Sequence, residues 1–168
     1  MAGRQPEADA GSEADAGSEA DAYRILSELL LAVLAEGDDP DEAGRRAGRL
    51  IGRTMRGDSS SAPCNGPAEF ERFLRSRGFV PRRIGSGPET GFVLGRCPYQ
   101  EAALANPSLI CGLHRALAEG ILHGLGGSYE VAKLVARHPT TAGCRLELRA
   151  ADEAPEQAGR PPTVEAAR

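Results

Sequence analysis

Hydrophobic positions come in two rhythms along this chain. From Tyr23 to Ala35, Tyr23, Ile25, Leu26, Leu29, Leu30, Val33 and Leu34 recur at helical spacing, and Gly37 and Pro40 follow as a stop. A second helix is predicted after Asp39 or Pro40, running to about Met55. In it Gly44, Gly48 and Gly52 stand four residues apart beside Ala43, Ala47, Leu50, Ile51 and Met55. Each helical glycine costs about 1 kcal/mol relative to alanine, so this row reflects either biased composition or the close approach of another backbone. Pro67 to Arg77 reads as a third helix, with Phe70, Phe73 and Leu74 on one face and Gly78 at its end.

The rhythm then shortens. Phe79 to Ile84 and Thr90 to Arg96 flank Gly85-Ser86-Gly87-Pro88 and predict a β-hairpin. After Cys97-Pro98-Tyr99, a short helix through Gln100 to Ala105 meets Asn106-Pro107. The helix from Ser108 to Leu125 is the most regular segment. Ile110, Leu113, Leu117, Ile121 and Leu125 fall in one apolar sector, and Ser108, Arg115, Glu119 and His123 fill the polar one. A third row, Gly112, Ala116, Gly120 and Gly124, holds only small residues and admits a neighbouring backbone. Tyr129 to Val135 and Cys144 to Leu148 read as two more strands. Helices, hairpin, helix, hairpin predict an α+β fold: a helical N-terminal part packed with a small antiparallel sheet around one long central helix.

The ends lack such patterning. From Glu7 the hexapeptide Glu-Ala-Asp-Ala-Gly-Ser runs twice and begins a third time at Glu19, and no bulky side chain in it can offset the entropy of ordering. Residues 1–22 are therefore expected to be a disordered acidic repeat, 23–149 a single domain, and 150–168 a disordered tail. Removing residues 1–21 is expected to leave the fold intact. Asp58 to Pro67, rich in serine, reads as a mobile loop that carries Cys64.

Composition narrows the function. Of 168 residues, 40% are hydrophobic and none is tryptophan, which suits one modest core. Apolar runs fall short of the roughly 20 residues that cross a bilayer, and Met1 to Ala22 is acidic rather than basic and then apolar. A cytoplasmic protein without membrane association is expected. The net charge of −4 divides into −5 for residues 1–21, +3 for the body and −2 for residues 151–168. A charge of +3 spread over the body is not the clustered footprint of a nucleic-acid reader, so DNA binding is expected to be weak or absent. Arginine richness follows from composition, since nineteen arginines accompany the single Lys133.

Four cysteines in a chain without an export signal point to a metal or cluster site before a disulfide framework. Cys64 is set aside with its loop. Cys97 ends a strand, Cys111 lies in the first turn of the long helix and Cys144 begins the last strand, all places where side chains converge. Cys111 and His114, three apart on a helix, project on one side. With Cys97 and Cys144 they make a Cys₃His set suited to tetrahedral zinc, or three thiolates for an iron-sulfur cluster. The competing reading is small buried cysteines with a core histidine. His123 reads as a surface residue and His138 as part of a turn. No nucleophile–base pair, phosphate loop or dinucleotide turn is legible, since Gly85-Ser86-Gly87 lacks a strand-to-helix setting, and an enzyme is not expected.

Three segments together carry a family resemblance: Cys97-Pro98-Tyr99, the run from Asn106-Pro107 through Cys111-Gly112-Leu113-His114-Arg115 to Gly120, and Gly143-Cys144-Arg145-Leu146. With the Tyr23 to Arg53 stretch, they resemble the C-terminal sensor region of actinobacterial ArsR-like helix-turn-helix regulators, of the type that represses iron-sulfur cluster assembly operons. The resemblance covers roughly residues 23–149 and implies that Cys97, Cys111 and Cys144 hold a cluster. Cys111 leading a helix that contains Gly120 is also similar to the V4R ligand-binding domain, which implies a V4R-like fold and, as the alternative function, a small-molecule binder with structural cysteines. The winged helix-turn-helix that precedes this region in those regulators is expected to be missing, with the acidic repeat before Tyr23 in its place. The expected role is a sensor domain that responds to metal or redox state and acts through a homodimer or a regulator partner, with one of the two small-residue rows at the dimer interface or the two rows packed on each other within one chain.

Overall fold

A computed structural model describes residues 20–31, 37, 39–57 and 66–151. Residues 20–31 form helix α1, which therefore includes positions 20–22 of the acidic repeat; Ala22 is fully buried and binds this turn to the core. Helix α2 is Pro40–Arg56, capped by the Asp39 carboxylate, which accepts from the Asp41 and Glu42 amides, with Pro40 in the first turn and Gly57 at positive φ beyond its end. Helix α3 is Gly66–Ser76, so Gly66 and Pro67 belong to it and not to the preceding loop. Cys64 and residues 1–19 and 152–168 lie outside the described residues.

Strands β1 (Pro81–Ser86) and β2 (Glu89–Leu94) form the first hairpin. The first strand starts two residues later than its pattern suggests. Phe79 still belongs to the exit of α3, its amide bonding the Leu74 carbonyl, and Val80 takes a positive φ before the chain straightens. Helices α4 (Gln100–Ala105) and α5 (Pro107–Gly124) follow, the latter capped by the Asn106 side chain. Strands β3 (Tyr129–Val135) and β4 (Cys144–Ala150) form the second hairpin. The sheet is antiparallel throughout, ordered β1-β2-β4-β3, so the two hairpins join through β2 and β4.

Thr90, Phe92 and Leu94 on β2, and Leu146 and Leu148 on β4, alternate onto one buried face. Phe70 of α3 meets Phe92 there, with ring centroids 6.0 Å apart. The predicted apolar sector of α5 is buried along its whole length, from Ile110 to Leu125.

The two small-residue rows pack on each other. A side-chain carbon added at Gly48 would fall within 3.0 Å of the Leu117 carbonyl oxygen, the Ile121 amide and the Gly120 Cα; one at Gly120 would meet the Arg45 carbonyl and the Gly48 Cα as closely. Gly52 and Gly124 oppose each other in the same way. The rows are thus spent within one chain. The small residues that admit a close backbone are Gly44, Gly48 and Gly52 on one side and Ala116, Gly120 and Gly124 on the other. Gly112 is the exception, because an added carbon there finds only the Asp41 side chain, at 3.5 Å. Arg115 bridges the ends of the pair by bonding Asp41 of α2 at 2.5 Å and Glu119 of its own helix at 2.5 Å.

Candidate functional site

Antiparallel pairing decides where the cysteines fall. Leu94, the last residue of β2, is the register partner of Cys144, the first of β4, so the exit of one strand and the entry of the other lie at the same end of the sheet. The chain leaving β2 reaches Cys97 three residues later and turns at buried Pro98 into α4. Pro107 then starts α5, which puts Cys111 in its second turn and His114 one turn further along the same side.

All four side chains named from the sequence, Cys97, Cys111, His114 and Cys144, line one cavity of about 30 Å³, closed by Phe79, Tyr99, Ile110 and Leu134. Positions 97 and 144, far apart in sequence, thus share a wall. All three thiols are free and half-buried.

The sulfurs differ in their surroundings. Cys97 receives a hydrogen bond from the Tyr99 amide, but burial outweighs it and pushes the thiol up from its ordinary pKa, with the nearby Cys144 and Cys111 sulfurs adding to the rise. Burial also pushes Cys111 up, again with help from Cys144. The Cys144 sulfur accepts from the Arg137 amide at 3.2 Å, across the turn that joins β3 and β4. Gly143, at φ +80°, and Ala142, at φ +51°, set that turn. At Cys97 the Tyr99 amide offsets part of the effect of burial, because a backbone N–H aimed at sulfur favours thiolate over thiol.

His114 lies flat on Phe79, with ring centroids 4.6 Å apart, and edge-on to Tyr99 at 6.2 Å. Burial pushes its pKa down to about 4, with no hydrogen bond or charge contributing. At neutral pH it is therefore an uncharged imidazole with a lone pair to offer. The aromatic pair that holds it was not legible as part of the site. Phe79 reads as a strand residue and Tyr99 as a loop residue, and only the tertiary fold stacks them on α5.

Among the described residues, no three histidine, cysteine, aspartate or glutamate side chains are gathered in an arrangement that holds a metal ion as they stand. The four donors share a cavity without closing on a common centre. His123 is exposed, and the His138 ring bonds the Thr140 hydroxyl at 2.8 Å within its turn; neither lines the cavity. No helix among the described residues is long and apolar enough to cross a membrane. No protein-family model matches this chain, and no curated protein matches it.

Proposed function

We propose that residues 23–149 form a sensor domain that takes up zinc or an iron-sulfur cluster at Cys97, Cys111, Cys144 and His114, and that it passes on occupancy in the cytoplasm by docking on a transcriptional regulator or by dimerising rather than by catalysis. One observation carries this reading: Cys97 from the segment after β2, Cys111 and His114 from α5, and Cys144 from the start of β4 line one cavity. The resemblance to the sensor region of ArsR-like regulators points the same way.

The donor set fits such a group by its chemistry, since thiolate and neutral imidazole suit zinc and thiolates suit iron-sulfur clusters. When bound, the group supplies a charge and a cross-link that tie α5 to the ends of β2 and β4. The chain's own part is to bring the sulfurs to one wall, to direct the Tyr99 and Arg137 amides at two of them, and to keep His114 uncharged. Uptake requires Cys97, Cys111 and Cys144 to turn inward and lose their protons. Because burial raises two of the three thiols, zinc affinity is expected to fall with decreasing pH, by about tenfold per pH unit for each thiol that must ionise. In the alternative, a V4R-like small-molecule binder with structural cysteines, the ligand sits between α5 and the sheet, where a groove of about 380 Å³ borders β3; the cysteine cavity of about 30 Å³ is far below the roughly 300 Å³ of small-molecule sites.

Purification without oxygen, followed by metal analysis and an absorption spectrum, tests the reading. Stoichiometric zinc, or iron with sulfide and a broad visible absorption, is expected, and is expected to be lost in Cys111→Ser. Full-length protein free of both metals, with Cys97, Cys111 and Cys144 all open to a thiol reagent after reconstitution is attempted, would sink it.

A further inference from the structure

The two strand ends that carry the site are pinned side by side. Cys144 opposes Leu94 in the ladder, and the Gly143 amide bonds the Leu94 carbonyl at 2.7 Å, so β2 and β4 stay paired up to the cavity. The chain leaving β2 is held on its other side, where the Gly95 amide bonds the Val80 carbonyl and the Arg96 amide that of Phe79. Cys97 comes next, three residues past the partner of Cys144. Both sulfurs border a cavity of about 30 Å³, with room for only about two waters. Of the other two sulfurs, Cys144 weighs more on the Cys97 thiol than Cys111 does, as the nearer of two like groups would.

The third thiol is held apart from this pair by its helix. Cys111 stands on α5, which the seam of Gly120 and Gly124 locks against α2 backbone to backbone. Cys144 instead follows Ala142 and Gly143, both at positive φ, at the end of a turn in which Arg137, His138, Thr140 and Thr141 are exposed. A disulfide needs its two Cα atoms roughly 4.4–6.8 Å apart. Cys144 can adjust to that spacing from Cys97 by a movement of the turn alone, whereas Cys111 can adjust only with its helix.

We propose that Cys97 and Cys144 join in a reversible disulfide when the metal-free chain meets a hydroperoxide, and that this bond closes the site to metal. One of the two sulfurs, as thiolate, attacks the peroxide: a sulfur–oxygen bond forms, the oxygen–oxygen bond breaks, and the departing alkoxide takes up the thiol proton as an alcohol, or as water from hydrogen peroxide. The second sulfur then attacks the first, a sulfur–sulfur bond forms, and hydroxide leaves with the second proton as water. The thiols lose two electrons between them and the peroxide gains two. A dithiol reverses the reaction by exchange and is itself oxidised to a disulfide. Linked sulfurs are no longer thiolates, so Cys97 and Cys144 are withdrawn as donors while the bond lasts. As a gate on occupancy this rests on the metal-binding reading above; the bond itself does not.

The test treats the full-length, metal-free chain with hydrogen peroxide, alkylates the remaining thiols and digests with trypsin. Cleavage after Arg96, Arg115, Arg137 and Arg145 puts Cys97 and Cys111 on one peptide, Cys144 on a second and Cys64 on a third. Peptide 97–115 is expected to be joined to 138–145, with fragment ions between Pro98 and Ile110 assigning the bond to Cys97 and with Cys111 alkylated. The link should persist in Cys111→Ser, vanish in Cys97→Ser and be undone by dithiothreitol. Zinc uptake should be lost in the oxidised chain and return on reduction. A bond made by Cys111, chains linked to one another, or Cys97 and Cys144 both alkylated after peroxide would overturn the proposal, as would equal zinc uptake by the oxidised and reduced chains. The two readings fail separately: a bond in a chain that takes up neither zinc nor a cluster when reduced removes the metal site and the gate, whereas a reduced chain that binds metal yet gives no bond removes this proposal alone.

Discussion

Helix α5 meets the rest of the molecule in two opposite ways. Along Ala116, Gly120 and Gly124 it touches α2 backbone to backbone, with no room for one added carbon. Around Cys111 and His114 it borders a cavity, and the groups there have hydrogen-bonding and ligating capacity to spare. Absence of side chains makes the first contact, and chemistry-bearing side chains make the second. A packed seam has one arrangement, whereas a cavity leaves room for another, so substitutions on the seam and at the cysteine end are expected to act differently.

Substitution on the seam should show the largest effect. Gly48→Leu is expected to cost about 3 kcal/mol or more in urea unfolding, because overpacking here meets carbonyl oxygen and amide nitrogen rather than a side chain that can turn away. Gly48→Ala should also destabilise, although the same change in an open helix gains about 1 kcal/mol. A neutral or stabilising Gly48→Ala would refute the seam.

At the other end of the contrast, metal-free protein should weaken in acid. The His114 pKa is about 4 in the fold against an ordinary value of about 6.5, so the unfolded chain takes up the proton first as the pH falls. The stability from this site is complete above pH 6.5 and drains between pH 6.5 and 4, by at most about 3 kcal/mol. His114→Gln should flatten that part of the curve, and an unchanged slope would show that the ring is solvated.

Gly112 sharpens the comparison because it belongs to the same row yet opposes only the Asp41 side chain. Gly112→Ala is expected to stabilise by up to about 1 kcal/mol, the opposite sign to Gly48→Ala. The smallest effect is expected for Arg115→Gln, below about 1 kcal/mol, since its carboxylate partners are partly exposed. Thermal or urea midpoints measured on the five variants together would order them.

What the sequence disclosed follows the same division. The apolar sector of α5, the two hairpins and the α+β class were legible because each rests on local periodicity. The glycine rows were legible as sites of close approach, but a row of small residues fits a partner in its own chain as well as one in another, and periodicity is blind to that choice. That Cys97, Cys111 and Cys144 border one cavity was legible from their positions near element ends, and that His114 joins them from its spacing of three from Cys111. Their surroundings were not, since Phe79 and the Arg137 amide reach the site only through the fold. That α1 already includes residues 20–22 was not legible, because Ala22 is too small to mark a core position on its own, although it is fully buried.

The pairing of Leu94 with Cys144 makes strand register the address of the site. A strand reverses the face of every side chain when it slips by one residue. One residue inserted within β4 would therefore turn Cys144 or Leu146 and Leu148 to the far side of the sheet, whereas residues added around Pro139 to Thr141 would leave the ladder untouched. Related sequences should thus vary in the length of that turn and hold constant the count from Cys144 to the end of its strand. For an engineer the same rule marks where a reporter can be spliced in without shifting the ladder, at the expense of the turn that holds the Arg137 amide on Cys144.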